Sequence, residues 1–235
     1  DLAGIQARGT LRVAVDNNSS SYYIYRGRRM GYEYELLLDL GKRLGVQIEF
    51  VVASEIEEAF GQLEEGRVDL IAMNVQKNKG LSSEVNFTEA VGSTSTYLVG
   101  NKKLANWQNL GSDTVVVRKG AVYKQQLEQI KDSLDLDFLI LEEQAHEETL
   151  LDRIVDRGIK WTVATQQIAQ TNVTYYEELY LGMEVAKAGE INWAVRGSST
   201  ELLQQVNAWL GEKKKRFIPD LYAKYFLNSK NQHFR

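Results

Sequence analysis

The sequence predicts an α/β protein made of two lobes, each built on a βαβαβ unit with a mostly parallel sheet. Strand-like and helix-like segments alternate over residues 11–73, and the same alternation recurs over residues 114–164. The composition, 43% hydrophobic and 26% charged residues over 235 positions, is typical of a globular protein with room for two domains. One long doubly wound sheet is the alternative. Two lobes are favoured because each repeat has strands and helices for a core of its own.

The first repeat contains three predicted strands separated by two helices. Apolar runs and alternating apolar and polar side chains place the strands at residues 11–15, 46–52 and 68–73. Apolar side chains at helical spacing predict a helix over residues 31–45. A second helix is predicted from Ser54, a good N-cap residue with a carboxylate at Glu57, to Gly66.

The second repeat has the same order and is followed by a helical tail. Its strands are predicted at residues 114–117, 138–141 and 161–164. One helix is predicted to begin at Gly120 and another to cover residues 146–157. A further strand at 191–195 precedes helices from about Ser199 and Phe217.

The composition excludes several functional classes. A net charge of −4 lacks the basic footprint of a nucleic-acid binder. The absence of cysteine excludes disulfides and thiolate chemistry, and two histidines, His146 and His233, leave little for zinc or a catalytic triad. No metal or organic cofactor is therefore predicted. The chain begins at Asp1 without a signal sequence, as a cytosolic protein or a processed exported protein does.

The predicted strand order indicates where a ligand binds. In open α/β sheets, ligands bind beyond the carboxyl ends of the strands, where the strand order reverses. The loops at those ends are 16–25, 74–81, 118–123 and the loop after Ala164. Two lobes with such loops are expected to form a clamshell that closes over a ligand by hinge motion.

Short motifs follow one another along the chain in a fixed order. They are RGTLRV at 8–13, YY at 22–23, GYEYEL at 31–36, LGV at 44–46, GRVDLIA at 66–72, VNFT at 85–88 and LYAKYF at 221–226. Together they resemble the type 2 periplasmic solute-binding proteins of the amino-acid-binding family, bacterial family 3. The resemblance implies the two-lobed periplasmic-binding-protein type 2 fold. Lobe 1 would contain residues 1–94 plus 191–235, lobe 2 residues 95–190, with a hinge near Ser95 and Glu190.

Within this family the chain is similar to the N-terminal modules of membrane-bound lytic murein transglycosylases of the F type. The double tyrosine, the GYEYEL segment, the strand around Trp193 and the closing helix with its polar tail carry the likeness. In those proteins a lysozyme-like catalytic domain follows the tail, whereas this chain ends at Arg235. The expectation is an exported protein, periplasmic or associated with the outer membrane, that contacts a membrane only through an upstream anchor.

The family's contacts for a free amino acid are missing from this sequence. The resemblance implies an arginine for the ligand carboxylate six residues before Phe87, where this chain has Leu81. The nearest cations are Lys77 and Lys79.

The second lobe of the family adds a Gly-Ser or Gly-Thr pair at a helix N-terminus, and an aspartate for the ligand ammonium. Here the pair is Gly120-Ala121, which keeps the backbone N–H groups without the hydroxyl, and Thr165 replaces the aspartate. A free α-amino acid would leave its charges uncompensated in such a site, so an ordinary amino-acid receptor is disfavoured.

The remaining polar and aromatic residues at the loops define the predicted ligand site. They are Tyr22, Tyr23, Asn74, Gln76, Gly120, Ala121, Thr165 and Gln166, with Gln167 beside them. Amides, hydroxyls and aromatic faces suit a neutral, hydrogen-bonding small molecule such as a sugar or peptide segment. A muropeptide fits this description, and so does a degenerate cleft that binds nothing. No catalytic residue is predicted.

Other conspicuous residues are predicted to be structural. Tyr32 and Tyr34 are expected to pack in the core, and the four tryptophans to anchor it. The glutamate pairs 142–143 and 147–148 are expected to form a solvated helix face, and the basic run 213–216 an ordinary surface.

The predicted function is a regulatory module of a cell-wall lytic transglycosylase that senses a muropeptide-like ligand in the interlobe cleft. The alternative is a free-standing solute-binding protein of an ABC importer for a non-standard amino-acid-like or peptide ligand. The same fold also includes cyclohexadienyl dehydratases and kinase sensor domains. A dehydratase needs acid/base groups and cations where this chain has Leu81, Ala121 and Thr165, so an enzyme is disfavoured.

Overall fold

The protein is described here by a computed structural model that covers residues 1–18, 20–75, 77 and 84–227. It is a mixed α/β protein, which confirms the predicted fold class. The chain divides into two compact units. Unit 1 contains Asp1–Gly92 and the chain from Glu190, and unit 2 contains Ser93–Gly189.

The strands of the described residues are β1 (Thr10–Val15), β2 (Tyr23–Tyr25), β3 (Arg28–Met30), β4 (Gln47–Val52), β5 (Leu70–Ala72), β6 (Val85–Gly100), β7 (Thr114–Arg118), β8 (Leu139–Glu143), β9 (Trp161–Thr165) and β10 (Tyr180–Arg196). The α-helices are α1 (Leu2–Arg8), α2 (Tyr32–Leu44), α3 (Ile56–Glu64), α4 (Tyr123–Leu134), α5 (Glu147–Val155), α6 (Gln166–Tyr175), α7 (Thr200–Lys213) and α8 (Phe217–Tyr222). A 3-10 turn covers Trp107–Leu110 and a π-helical turn covers Ala223–Leu227. No helix in these ranges combines the length and apolar character needed to span a bilayer.

The sheet of unit 1 runs in the order β4-β1-β5-β10. β1 is parallel to β4 and to β5, and β10 is antiparallel to β5. The carboxyl ends of β1, β4 and β5 therefore lie at one edge of this sheet, as the βαβαβ prediction requires. Helices α2 and α3 provide the crossovers between these strands.

The core of unit 1 is formed by β1, α2, α7, α8 and the π-helical turn that follows α8. Trp193 and Trp209 are fully buried and stack with ring centroids 6.1 Å apart, and the Trp209 indole donates to Asp39 at 2.7 Å. Tyr32 is also buried and donates its hydroxyl to the Val91 carbonyl at 3.0 Å. These residues have the core positions that the sequence predicted.

The sheet of unit 2 runs in the order β6-β9-β7-β8. β7 is parallel to β8 and β9, and β6 is antiparallel to β9. Trp161 is fully buried and leaves no room beside it, since a Cβ added to Gly100 would lie 2.1 Å from its indole ring. The Trp161 indole N–H donates to Asp113 at 3.0 Å.

Several predicted boundaries are wrong by a few residues. The N-cap of α3 is Glu55 rather than Ser54, because the Glu58 carboxylate reaches back and accepts the Ser54 backbone N–H at 3.1 Å. α4 begins at Tyr123 rather than Gly120, because residues 119–122 form a turn with Gly120 at φ 83°. The chain after Ala164 is the start of a helix, α6, rather than a loop.

Candidate functional site

At the carboxyl edge of unit 1, the loop after β1 is folded tightly onto the start of α2. The Asn18 side-chain oxygen accepts the backbone N–H groups of Ser20 and Ser21 at 2.9 and 2.8 Å. The carbonyls of Ser20 and Ser21 in turn accept the N–H groups of Tyr32 and Tyr34, which would otherwise be unpaired at the helix N-terminus. These bonds tie Asn18, Ser20 and Ser21 to one another and to the start of α2.

Gly31 makes this packing possible. Its φ of 133° disfavours an L side chain, and a Cβ at this position would lie 2.1 Å from the Ser21 carbonyl oxygen. The Gly31 backbone N–H donates to the Tyr225 hydroxyl oxygen at 3.2 Å. This bond joins the loop to the π-helical turn Ala223–Leu227. Gly31, the glycine of the GYEYEL motif, therefore allows the Ser21 backbone to lie close to the start of α2.

Two buried acids lie at this edge, Asp16 after β1 and Glu33 in the first turn of α2. Burial raises the pKa of Glu33 to about 7. Its own backbone N–H and the Ser21 side chain lower this pKa, and the nearby Asp16 charge raises it. Sequence reasoning missed both residues. The sequence feature that could have identified Glu33 is an acidic residue in the first turn of a predicted helix, two residues after Gly31.

Tyr22 and Tyr23, the two loop tyrosines predicted to bind the ligand, differ in their burial. Tyr22 is a core residue, 8% exposed, that stacks on Phe50 at a centroid distance of 5.2 Å. Tyr23 is half-buried on β2, and burial, followed by the Glu35 charge, raises its pKa. The main role of the Tyr22 ring is therefore to fix the loop, whereas Tyr23 keeps part of its surface accessible.

The residues after β5 are described in part. Asn74 is partly exposed at the carboxyl end of this strand. Lys77 is exposed. Gln76, Lys79 and Leu81 lie outside the described residues, so their predicted roles stay predictions.

The edge of unit 2 is built around a buried ion pair at the end of β7. The Arg118 guanidinium lies 3.1 Å from Glu147, and the Tyr123 hydroxyl donates to the same carboxylate at 2.8 Å. Burial opposes ionisation of Glu147, yet Arg118, the backbone N–H of Glu147 and Tyr123 hold its pKa below the ordinary glutamate value. The pair locks the turn between β7 and α4 to the start of α5.

The backbone N–H groups predicted to remain available at Gly120-Ala121 are already used. Gly120 N–H donates to the Glu142 carboxylate at 3.1 Å, and Ala121 N–H to the Arg118 carbonyl at 3.3 Å. Lys124 lies 3.5 Å from the same Glu142 carboxylate. A carboxylate of this protein therefore accepts one of the two N–H groups that the family resemblance implied for a ligand carboxylate.

The expectation of a solvated helix face at the glutamate pairs is wrong at both. Glu142 and Glu143 are on strand β8, where Glu142 turns toward the Gly120 backbone. Glu147 is buried against Arg118 at the start of α5. A charge run gives no information about the partners that the fold brings to it, which is why sequence reasoning missed these contacts.

Amides and hydroxyls dominate the rest of the unit 2 edge. Thr165, 9% exposed, ends β9, and the partly exposed Gln166 begins α6. Thr94 donates its hydroxyl to Gln167 at 2.9 Å, and in the same unit Thr96 donates to Gln126 at 2.8 Å. The predicted Thr165 and Gln166 are thus adjacent, and the same unit contains two hydrogen bonds between neutral polar side chains.

In the described part of the chain, no group of three or more His, Cys, Asp or Glu side chains is placed to hold a metal ion. The unit 1 edge offers buried acids and partly exposed aromatic and amide groups. The unit 2 edge offers neutral amides and hydroxyls, since its charged groups are engaged with one another.

The chain is similar in sequence to known proteins. Membrane-bound lytic murein transglycosylase F from Desulfosudis oleivorans is 30% identical over 227 residues, which cover 94% of this chain and 50% of that protein. The chain thus spans about half the length of this curated relative.

Solved structures share the fold at lower identity. The ancestral amino acid-binding protein AncCDT-1, a precursor of cyclohexadienyl dehydratase, is 23% identical with a TM-score of 0.80, over 96% of this chain and 99% of that chain. An ancestral arginine-binding protein bound to arginine is 21% identical with a TM-score of 0.79, over 93% and 99%. At these identities the likeness shows the fold alone. The family is shown by the sequence itself: over residues 11–228 it matches the bacterial extracellular solute-binding proteins, family 3, and the chain belongs to that family.

Proposed function

We propose that this chain is the ligand-binding, regulatory module of an exported cell-wall lytic transglycosylase, and that its ligand is muropeptide-like. The relative from Desulfosudis oleivorans is named a membrane-bound lytic murein transglycosylase, and this chain covers half of it. In this proposal the catalytic domain belongs to the other half of such a protein. Ligand binding acts by stabilising one conformation of the module, in proportion to the difference in affinity between its conformations.

The Glu142 carboxylate on the Gly120 N–H group is the observation that carries the proposed ligand class. A free amino acid would have to displace this carboxylate or bind without that contact. Displacement would take the Gly120 N–H from Glu142, a partly buried carboxylate that also lies 3.5 Å from Lys124, and desolvating an incompletely paired charge is costly. The site therefore favours ligands that bind through amide, hydroxyl and ring groups over ligands that need a carboxylate pocket.

We propose that the ligand is recognised by the carboxyl edges of the two units. Tyr23 and Asn74 on unit 1 and Thr165 and Gln166 on unit 2 supply the ring face, amides and hydroxyl for a sugar or peptide segment. Gln76 is proposed for the same set from its place in the sequence. Tyr22, Gly120 and Ala121 act in this proposal by shaping the two edges.

Thermal unfolding with and without ligand tests the proposal. The probe is a purified muramyl peptide whose free carboxyl groups are amidated, so that it matches the neutral ligand class, and free amino acids are added in parallel. A ligand at about a hundred times its Kd stabilises the folded state by about 2.7 kcal/mol, which corresponds to a rise in Tm of about 5–10 °C for a chain of this size. Gln166→Ala and Asn74→Ala should each reduce the rise, whereas Gln129→Ala, the same kind of change at an exposed position of α4, should leave it intact.

Each other outcome selects a different function. A rise with a free amino acid and none with the muramyl peptide would overturn the proposal and favour the ABC-importer alternative. No rise with either probe would also overturn it, and would make a cleft without a ligand the simplest account.

A further inference from the structure

The short hairpin of unit 1 has an exposed face that combines an aliphatic and a cationic side chain. β2 and β3 pair antiparallel, with Ile24 opposite Arg29, so these two side chains lie on the same face. Ile24 is 67% exposed and Arg29 is exposed as well. The turn residues, Arg26 at φ 48° and Gly27 at φ 75°, have the two positive φ angles of a tight hairpin turn.

The other face of the hairpin is fastened to the protein. Tyr23 and Met30, which are Cα partners in the hairpin, pack against the core of unit 1. Directly after β3, the Gly31 N–H donates to the Tyr225 hydroxyl, which itself donates to Glu35. Ile24 and Arg29 therefore project from the free face of a fixed support, and Arg28, which is opposite Tyr25 on the other face, is exposed beside the turn.

Positive charge is concentrated at this hairpin although the chain carries a net charge of −4. Arg26, Arg28 and Arg29 are exposed, and in the described ranges Arg28 and Arg29 form no ion pair. A groove of about 590 Å³ runs beside them, lined by both arginines, Met30 and Leu38 among others. The acid that lines the groove, Glu35, is already bound by Lys224 at 2.8 Å and by Tyr225.

We propose that this hairpin, residues 23–30, is a contact surface for a bilayer that contains anionic phospholipids. The guanidinium groups of Arg26, Arg28 and Arg29 match the geometry and charge of lipid phosphates. Ile24, on the same face as Arg29, would lie at the boundary of the headgroups and the acyl chains. A soluble anion would account for the arginines but not for an aliphatic side chain held out in water beside them. The area is too small for firm anchoring, so the contact orients the protein at a surface.

Vesicle sedimentation tests this surface. The full chain should bind vesicles of phosphatidylcholine with phosphatidylglycerol at low salt, and bind pure phosphatidylcholine vesicles much more weakly. Each arginine near an anionic surface contributes about a fivefold increase in partitioning, so Arg28→Gln with Arg29→Gln should weaken binding by about 25-fold. Ile24→Ser should weaken it too.

The control is Lys102→Gln with Lys103→Gln, which removes the same charge from two exposed lysines of unit 2. Unchanged thermal unfolding shows that each variant is folded. Equal binding to both vesicle types, or equal losses in the arginine and lysine pairs, would overturn the proposal. Saturable binding of inorganic phosphate that is lost in the arginine pair, without vesicle binding, would assign the groove to a soluble anion instead. An acidic peptide that binds this hairpin in place of vesicles would overturn it as well.

Discussion

Glu33 allows a quantitative test of the buried acidic edge of unit 1. Its carboxyl group is buried in the first turn of α2, and burial raises its pKa from the ordinary 4.5 to about 7. Below pH 4.5 the folded and unfolded chains both hold the proton. Between pH 4.5 and 7 the unfolded chain releases the proton while the folded chain keeps it, so the free energy of unfolding falls as the pH rises.

The size of this effect follows from the two pKa values. A difference from 4.5 to about 7 corresponds to about 3 kcal/mol of lost stability once the pH is above 7. Glu33→Gln keeps the shape and remains neutral at every pH. Its stability relative to the natural chain should therefore increase by about 3 kcal/mol between pH 4.5 and pH 8.

Urea unfolding followed by tryptophan fluorescence at a series of pH values measures this difference. Comparing the two chains at each pH cancels the titration of all other groups that they share. Glu64→Gln, the same replacement at an exposed position of α3, controls for the loss of one formal charge. A stability difference between Glu33→Gln and the natural chain that stays constant within about 1 kcal/mol from pH 4.5 to 8 would refute the reasoning.

Three further predictions address the positions that shape the two edges. Glu142→Ala frees the Gly120 N–H group, so acetate should raise the Tm of this variant and not that of the natural chain; equal responses would contradict an occupied anion position. Gly31→Ala should lower the free energy of unfolding by more than about 2 kcal/mol, because of its φ of 133° and the overlap with the Ser21 carbonyl. The matched Gly61→Ala, inside α3 with open space around it, should raise that free energy by about 0.5–1 kcal/mol. Glu147→Gln should cost about 3–5 kcal/mol in urea unfolding, because the buried Arg118 charge loses the carboxylate that lies 3.1 Å from it; a cost below about 1 kcal/mol would show that this ion pair contributes little.

The alternation of apolar segments predicted the parallel strands of both units correctly, because burial follows local pattern. The runs around Val13, Ile71 and Val163 are buried strands, as their apolar character requires. The pattern predicted no strand at β6, which extends over 16 residues, and only residues 191–195 of β10, which extends over 17. Their polar residues alternate irregularly, and their pairing depends on distant strands that a local window does not contain.

The site was predicted less well because its contacts join residues that are far apart in the sequence. Thr165 and Gln166 could be placed at a strand end from the local pattern alone. The bond from Gly120 to Glu142 spans 22 residues and that from Arg118 to Glu147 spans 29. Neither residue of such a bond has a sequence feature nearby that identifies its partner. Glu142 and Glu147, which were predicted to be solvated, therefore form contacts that the sequence analysis did not predict.

The charges of the two edges support the same ligand chemistry independently. On unit 1 the carboxyl edge holds the buried acids Asp16 and Glu33, which disfavour an approaching anion whenever either is ionised. On unit 2 the backbone donor that could bind an anion, Gly120 N–H, is taken by Glu142. In the proposed site a ligand carboxylate would therefore gain little at either edge, whereas hydroxyl, amide and ring groups would meet Tyr23, Asn74 or Gln166 without displacing a charge. The proposed preference for a sugar or peptide segment rests on this distribution of charge, and not on the fold, which solved amino-acid-binding proteins share.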